Sequence, residues 1–531
     1  MLSTKDLKIN FLGINPIIKD ETGGLDPQSI CALGALMTFK GASAENLKKE
    51  ALEKGQDLAK KVKTILKNSS LKGHASMATT PVFSFSYESS KFLDSALTGM
   101  VFSSSLMASG RRTDSTADDI VYPTSILENK NALELYREIS EKILAVNHEI
   151  LEAGVEKDQA SKILQYGIYG TGIISYSVES FNSLKREYER EKEWMPEEIG
   201  FLIKAFEKEF VKMGVDQLFA TRSVAPRTAY PYPNIFKNPA TDNLAREMGK
   251  KYLANSESEV IYLHSLATAD LKSRMNSLRQ DLEKIYQDKK SLIKNWSAVL
   301  EKRAEIARDY QNVLDIKTVS RLSWRVWGDK KRHRTMPMTV DSVYHSIDRT
   351  LAVWKKSTKK IAAADLTEKE INELDNVFSI PPAVKADKII LQKYLVTALD
   401  SLLAFEKLIG LGIPPRDAVF VIPRGIRIDH VQDINFYNLI NGYYPIRLCT
   451  TAEEQLRRVS YREAEMIKMK LKDEKMDWLG WHIGPKCFHT GFCPEKNSCG
   501  IVKKEVKFYD DKFHEEVKNN LEDRFENNLN K

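Results

Sequence analysis

The chain lacks several features that would place it in the commoner alternative classes. Its 531 residues include only 5 cysteines, too few for a secreted protein held together by disulfides. It has no run of about 18 apolar residues, the length that marks a membrane helix. The start, Met1 to Asp6, also lacks the basic-then-apolar layout of a secretion signal. The sequence therefore predicts a cytoplasmic protein without membrane contact.

Two frequent kinds of catalytic motif are also missing. The sequence shows neither a Ser/His/Asp arrangement nor a glycine-rich phosphate loop. At 531 residues the chain is too long for one core, and a hydrophobic share of 42% is ordinary for a globular protein. The net charge of +7 favours anionic ligands such as nucleotides and permits nucleic acid without favouring it. We expect several domains and a site built from other chemistry.

The most informative stretch is a basic loop, Lys330 to Arg334, followed by Ser342. Arginine can hold a phosphate or carboxylate with two parallel hydrogen bonds. The apolar spacing in 341–356 predicts a helix with Ser342 in its first turn, where free backbone amides favour an anion. From the residues alone, a solvated basic face or a nonspecific nucleic-acid patch explains the run about as well.

Arg332-His333-Arg334, seven residues and then Ser342 match the signature of the flavin-dependent thymidylate synthases, and the chain resembles that family. A second block, Gly412 to Pro423 followed by Asn435 to Arg457, is similar to the family's carboxyl half. The resemblance implies FAD as cofactor, NADPH and methylenetetrahydrofolate as co-substrates, and deoxyuridine monophosphate (dUMP) as the methylated substrate. The cofactor would supply the difficult step, without a cysteine nucleophile.

The resemblance also implies roles for individual residues. The implied flavin contacts are His333, Arg334, Thr335 and at least one of Asn435 and Asn441. Arg332 and Ser342 would hold the phosphate side of dUMP, and Arg447 would bind the uracil ring and stabilise the charge that builds on it. Without the family context, Arg447 is better explained as a surface arginine that pairs with Glu453 or Glu454.

Four positions depart from the family pattern. Val340, Tyr344, Asp329 and Val419 stand where the family has glutamate, arginine, glutamine and arginine. Losing two or three charged contacts, each worth roughly 1.5 to 3 kcal/mol, would lower nucleotide affinity by orders of magnitude. Two alternatives to a dUMP synthase therefore stay open. One is a flavin- and folate-dependent methyltransferase acting on another uracil, including one in RNA. The other is a noncatalytic flavin- or nucleic-acid-binding protein.

A faint internal repeat predicts two tandem synthase-like copies. Gly154-Val155, Ala160, Ile163-Leu164 and Gly167 recur at identical offsets as Gly412-Ile413, Ala418, Val421-Ile422 and Gly425. The expected domains are a degenerate first copy at 1–220, a second copy at 221–475 and a tail at 476–531. Arg111 and Arg112 are candidates to replace the missing substrate contacts, unless the first copy is only a scaffold. Because the family forms tetramers, a fused pair predicts a homodimer, that is, a pseudo-tetramer.

The predicted fold class is α+β, mostly helical with short antiparallel sheets. Apolar spacing predicts helices at 132–153 and 195–213. Alternating residues predict a strand at 82–87. The region 257–315 has neither Gly nor Pro, and its spacing predicts one long helix or a helical hairpin inserted in the second copy. Prolines at 226–239 indicate a linker.

The tail carries a separate signal in three cysteines, Cys487, Cys493 and Cys499. Such crowding in a cytoplasmic protein favours a metal over a disulfide. Cys449 is the predicted fourth ligand, with His482 and His489 as alternatives, for zinc or an iron–sulfur cluster. An unmetallated loop is the competing interpretation.

Overall fold

The computed structural model describes residues 1–15, 25–71, 75–108, 115–223, 233–285, 292–490 and 499. The chain divides into two compact units, each assembled from separate stretches of sequence. Unit 1 comprises Met1–Thr241, Ser323–Arg334 and Ser342–Arg427, and unit 2 comprises Asp242–Leu322, Thr335–Asp341 and Ile428–Lys531. In the described part of the chain, no helix is long and apolar enough to cross a membrane.

The secondary structure of the described residues is mixed and mostly helical. The strands are β1 Leu2–Ser3, β2 Lys8–Asn15, β3 Val82–Ser90, β4 Ser103–Met107, β5 Val121–Tyr122, β6 Tyr169–Ser177, β7 Ser258–Ser265, β8 Leu314–Ser323, β9 Met338–Val340 and β10 Arg427–Asn435. The helices up to residue 285 are α1 Pro27–Lys40, α2 Ala44–Glu53, α3 Leu58–Leu71, α4 Phe92–Leu97, α5 Thr124–Leu127, α6 Lys130–Glu152, α7 Lys157–Ala160, α8 Val178–Glu191, α9 Glu197–Lys212, α10 Asp216–Ser223, α11 Leu244–Tyr252 and α12 Ala269–Ile285. Those that follow are α13 Leu292–Asp309, α14 Trp324–Lys330, α15 Val343–Trp354, α16 Thr358–Ala362, α17 Glu368–Val377, α18 Pro382–Lys385, α19 Lys388–Gly410, α20 Pro415–Ala418, α21 Tyr444–Arg447, α22 Glu454–Asp473, α23 Asp477–Gly480 and α24 Cys487–Thr490. The α+β prediction is confirmed at this level.

The first sheet has the strand order β2-β3-β6-β4, with antiparallel neighbours throughout. Along β3 every second side chain is buried, because Phe83, Phe85 and Tyr87 all face the core. Phe83 packs edge-on against rings from the helices, including Phe206 at 5.2 Å between ring centroids. The predicted strand at 82–87 is confirmed, and so are the helices predicted at 132–153 and 195–213, which correspond to α6 and α9.

The second sheet has the order β7-β8-β10-β9. The prediction of helix across 257–315 is corrected at its start, because Ser258–Ser265 forms β7 and pairs antiparallel with β8. Val260 and Leu263 fit a helical spacing, but the run Val260-Ile261-Tyr262 is β-branched and aromatic, which suits a strand. The hairpin appears downstream as α12 and α13, which pack on each other. Strands are therefore longer and more numerous than the sequence indicated.

The two sheets have the same strand order when β2, β3, β6 and β4 are matched with β7, β8, β10 and β9. From α5 to β6 and from α18 to β10, matching elements keep one spacing of 258 residues. The matched bounds are Thr124–Leu127 with Pro382–Lys385, Lys130–Glu152 with Lys388–Gly410, Lys157–Ala160 with Pro415–Ala418, and Tyr169–Ser177 with Arg427–Asn435. No insertion or deletion separates the two stretches over this length.

Contacts inside unit 1 repeat with the same spacing. Tyr136 donates from its hydroxyl to the carbonyl of Val121 at 2.8 Å, and Tyr394 donates to the carbonyl of Ser379 at 2.7 Å. The residues Gln165 and Pro423, themselves 258 apart, face each other in an antiparallel bridge. Helices α6 and α19, whose bounds match at the same spacing, also pack against each other.

The strand registers also match the basic loop with an uncharged stretch of the chain. In the first sheet Met107 pairs with Gly172, and in the second Val340 pairs with His430. Gly172 and His430 are 258 residues apart, so Met107 matches Val340 at a spacing of 233. The same spacing matches Arg332-His333-Arg334 with Gly99-Met100-Val101.

A buried carboxyl group in unit 1 should make stability depend on pH. Glu198 is fully buried on α9, where it accepts hydrogen bonds from the Ser89 and Ser90 hydroxyls and from the Ser90 amide at 3.2 Å. Burial raises the pKa of Glu198 from 4.5 to about 7, although these hydrogen bonds act to lower it. The folded state then binds more protons than the unfolded state between these pH values, so stability should fall as pH rises from about 4.5 to about 7.

We expect Glu198→Gln to remove up to about 3 kcal/mol of that pH dependence, since each pKa unit corresponds to about 1.4 kcal/mol. Urea unfolding at pH 5 and pH 8 measures the loss. Glu193→Gln, on the neighbouring connection, is the control and should leave the pH dependence unchanged. An unchanged slope in Glu198→Gln would contradict a raised pKa at this carboxyl.

Candidate functional site

The basic loop starts from an anchored lysine in unit 1. Lys331 is buried directly after α14, where its ammonium group donates to the carbonyl of Ser95 and lies 4.3 Å from the centre of the Trp327 ring. Arg332 is exposed and His333 is half-buried. Arg334 donates a hydrogen bond to the carbonyl of Ser103. The basic loop is thus anchored at Lys331. Arg332 is exposed to solvent, and His333 is partly exposed.

Ser342 lies in a different environment from the one predicted. It is fully buried, and its hydroxyl caps α15 by accepting from the Tyr344 amide at 3.2 Å while donating to the carbonyl of Lys237 at 2.6 Å. Tyr344 is buried as well, and its hydroxyl donates to the carbonyl of Trp194. These hydrogen bonds already use the Ser342 hydroxyl as both donor and acceptor, so phosphate binding by Ser342 would require a local rearrangement.

Unit 2 joins Thr335 to two asparagines. The hydroxyl of Thr335 donates to Oδ1 of Asn438 at 3.0 Å, and Oδ1 of Asn435 accepts from the Asn438 amide and side chain at 3.0 and 2.8 Å. Asn435 ends β10, so its side chain caps the turn that follows. The structure therefore brings together Thr335 and Asn435, two of the predicted flavin contacts, through Asn438. Asn441 lies half-buried three residues further along.

The segment after Asn435 is a π-helix, Asn438–Gly442, in which the Tyr443 amide donates to the carbonyl of Asn438 at 3.0 Å. Arg303, buried on α13, donates two hydrogen bonds to the carbonyl of Ile440, the shorter at 2.6 Å, and one to the carbonyl of His482 at 3.0 Å. The helical hairpin predicted as a plain insertion thus holds the wide turn that carries the asparagines.

Arg447 is the last residue of α21 and is half-buried. The structure gives its two predicted carboxylate partners other contacts. Glu454 pairs with Arg458 at 3.0 Å, and Glu453 accepts from the Leu456 amide at 2.9 Å at the start of α22. The geometry is compatible with a role for Arg447 in ligand binding, which stays a prediction.

Two buried ion pairs stabilise unit 2, one between β8 and β10 and one between α11 and the loop before Ser342. Arg321 on β8 meets Asp429 on β10 through two hydrogen bonds, at 2.6 and 3.0 Å. Arg246 on α11 donates to Asp341 at 3.0 Å, and both side chains are buried. Such two-pronged pairs fix geometry as well as charge.

Sequence reasoning overlooked Asn438 and Arg303. Asn438 had a visible signal, because three asparagines recur at a spacing of three, at 435, 438 and 441. Arg303 had none, since its partners are backbone carbonyls distant in sequence. Arg111 and Arg112, proposed as replacement contacts, lie outside the described residues.

The predicted metal site is not supported by the part of the chain that the structure describes, where no group of three or more His, Cys, Asp or Glu side chains is arranged to hold a metal ion. Cys449 and Cys487 are half-buried, and Cys499 is exposed. Cys493 lies outside the described residues.

The comparisons with known proteins concern the same part of the chain. Residues 251–471 match the family model described as "Thymidylate synthase complementing protein". Residues 251–471 belong to the flavin-dependent thymidylate synthase family. This family segment contains the basic loop, β10, the π-helix and Arg447, so the predicted family is confirmed for residues 251–471.

Curated relatives support the family segment at low identity. Flavin-dependent thymidylate synthase of Pyrococcus furiosus is 26% identical over 137 residues, which cover 25% of this chain and 55% of the relative. The Pyrococcus horikoshii enzyme is 30% identical over 125 residues, covering 23% of this chain and 50% of the relative. The chain thus spans about half the length of the curated relatives it matches.

Among solved structures, a UMP/dUMP methylase from Streptomyces cacaoi bound with 5-Br dUMP covers 43% of this chain and 100% of its own, at 12% identity. The TM-score is 0.32, too low to carry an argument about this chain.

Proposed function

We propose that the chain is a flavin-dependent methyltransferase of the thymidylate synthase type, which methylates the uracil ring of dUMP with methylenetetrahydrofolate, FAD and NADPH. The observation that carries the proposal is that the family segment holds both the Arg332-His333-Arg334 loop and the Thr335, Asn438 and Asn435 network.

The described residues fit a flavin on chemical grounds. A flavin ring offers carbonyl acceptors and ring nitrogens, and its diphosphate carries negative charge. Arg332 and His333 supply accessible donors, while Thr335 and Asn435 supply hydroxyl and amide groups near one another. When bound and reduced by NADPH, the flavin would supply the hydride that completes the transfer of the one-carbon unit. The protein's own residues bind and orient the ligands, and Arg447 would stabilise negative charge on the uracil.

We also propose that the chain arose by tandem duplication of one synthase-like unit. Support comes from the common strand order of the two sheets, the constant spacing of 258 residues and the antiparallel bridge between Gln165 and Pro423. The first copy has Gly99-Met100-Val101 in place of Arg332-His333-Arg334, so the second copy carries the flavin loop. A homodimer equivalent to the family's tetramer follows, and sedimentation velocity would measure it.

A second candidate substrate is a different uracil, such as one within RNA. The observation in its favour is that Ser342 and Tyr344 are engaged in buried hydrogen bonds and that Val340 is buried in β9, where the family has polar contacts. A substrate held mainly through a polynucleotide backbone would depend less on these positions.

The test begins with anaerobic purification, a visible spectrum and a titration with dUMP. A flavin spectrum whose bands shift on addition of dUMP supports the proposal, and a methylenetetrahydrofolate assay of thymidylate then measures turnover. Flavin bands that ignore dUMP but respond to uracil-containing RNA favour the second candidate. A protein that binds no FAD at all contradicts both.

A further inference from the structure

Three cationic side chains from both proposed copies meet inside unit 1. Lys91 follows β3, Arg325 lies on α14, and Arg424 follows Pro423. Backbone hydrogen bonds join these segments: the Arg325 amide donates to the carbonyl of Arg424 at 3.0 Å. The Lys91 amide donates to the carbonyl of Ile168 at 2.9 Å. We call Lys91, Arg325 and Arg424 the seam cluster, because it lies beside the bridge between Gln165 and Pro423.

Two members of the seam cluster are incompletely paired. Arg424 is 1% exposed, its Nε donates to the carbonyl of Gln165 at 3.1 Å, and its guanidinium lies 4.8 Å from the centre of the Tyr166 ring. Its Nη2 has no hydrogen-bond partner among the described residues. Lys91 is 5% exposed, and its ammonium group makes no hydrogen bond or ion pair with the described residues. Arg325 pairs with Asp329 at 3.0 Å.

Asp94 and Asp119 both act to raise the pKa of Lys91, yet among the described residues neither forms an ion pair with Lys91 or Arg424. Asp94, the acid that most offsets the charge on Lys91, accepts a hydrogen bond from the Tyr87 hydroxyl, and burial raises its pKa. Burial and the charge on Arg424 lower the pKa of Lys91 to about 8, and burial lowers the pKa of Arg424 to about 10. Buried cations that form no ion pair are costly unless an anion joins them.

The seam cluster lies within electrostatic range of the basic loop. The exposed Arg332 acts to lower the pKa of Asp94, and so does Lys91. Helix α14 and the anchored Lys331 connect Arg325 to Arg332, so a cationic side chain stands at each end of this segment. Arg332 and the seam cluster therefore act on one carboxylate, that of Asp94.

We propose that Lys91, Arg325 and Arg424 form a phosphate-binding subsite that neither copy could build alone. Lys91 comes from the first copy, and the two arginines come from the second. The subsite replaces the phosphate contacts that the buried Ser342 and Tyr344 no longer offer. Binding of the phosphate group stands on these observations, while its assignment to the nucleotide substrate rests on the proposed function.

The primary test is Lys91→Met, which keeps the length of the side chain and removes the charge. Calorimetry gives the melting temperature of the ligand-free protein and its rise with inorganic phosphate, and titration calorimetry gives affinities for dUMP, deoxyuridine and FAD. We expect the ligand-free variant to melt at or above the wild-type temperature, because a buried charge without a partner is removed. We expect the phosphate-induced rise to disappear and the affinity for dUMP to fall about tenfold or more, with that for deoxyuridine unchanged.

Lys356→Met, an exposed lysine in the same unit, is the matched control and should behave as wild type in every arm. Arg424→Met is the second variant, in case the first does not fold. Loss of FAD affinity with unchanged dUMP affinity would assign the subsite to the diphosphate of the flavin and keep the phosphate site. A melting temperature that responds to phosphate in both variants as in wild type would overturn the proposal. So would a ligand-free Lys91→Met protein that is strongly destabilised, since Lys91 would then be structural.

Discussion

Arg447→Met is expected to lower the turnover number for thymidylate formation by about 100- to 1000-fold, the range seen when one preorganised donor to a developing charge is removed. The residue ends α21, half-buried, in the family segment. Its guanidinium would act on the uracil ring and leave the flavin contacts intact. We therefore expect the flavin spectrum and FAD affinity to change little, and a steady-state assay with saturating substrates to show the loss mainly in kcat.

Arg462→Met is the matched control for this experiment. Arg462 lies on α22, half-exposed, and pairs with Glu259 at 3.2 Å. Replacing it removes the same charge from the same unit and should leave turnover within about twofold, as expected for an exposed ion pair. Turnover of Arg447→Met close to that of the control would return Arg447 to the role of a surface arginine.

The largest loss of stability is expected from Arg321→Met, at about 3 to 5 kcal/mol. The variant leaves the buried carboxylate of Asp429 without the guanidinium that donates two hydrogen bonds to it at 2.6 and 3.0 Å. It also removes the donor to the carbonyl of Leu253 at 3.2 Å. Urea or thermal unfolding of the variant and wild type measures the difference in unfolding free energy.

A double variant separates the charge from the packing. Arg321→Met with Asp429→Leu removes both charges, so the penalty for a buried carboxylate without its partner disappears. We expect the double variant to be more stable than Arg321→Met alone. If the double variant instead loses as much unfolding free energy as Arg321→Met and Asp429→Leu lose together, the two charges are not coupled. The loss of stability then comes from packing around α11.

Local pattern predicted much of the fold, because helices such as α6 and α9 bury one face at a regular spacing. The start of 257–315 differs from the prediction for the same reason, because Val260 and Leu263 lie three positions apart, as on one face of a helix. In β7 a bulge between Val260 and Tyr262 lets both Val260 and Leu263 pack on one core. The family segment was recognisable because its loop and its asparagines are close in sequence.

Contacts between distant residues were beyond the reach of the sequence. Ser342 matches the family motif by position, yet its hydroxyl is used by Lys237, a residue more than a hundred positions away. Arg303 recognises backbone carbonyls, which every residue has, so no pattern marks it. The seam cluster joins Lys91 to Arg424 across more than 300 residues, and only folding shows that these cations meet.

The uncharged counterpart of the basic loop has a consequence for stoichiometry. Gly99-Met100-Val101 offers none of the donors of Arg332-His333-Arg334. In a family member made of identical subunits, each subunit carries the loop, so the number of bound flavins equals the number of subunits. Under the proposed duplication this chain holds two synthase-like copies but one basic loop. A saturating titration with FAD should therefore count one flavin per chain, or half a flavin per copy.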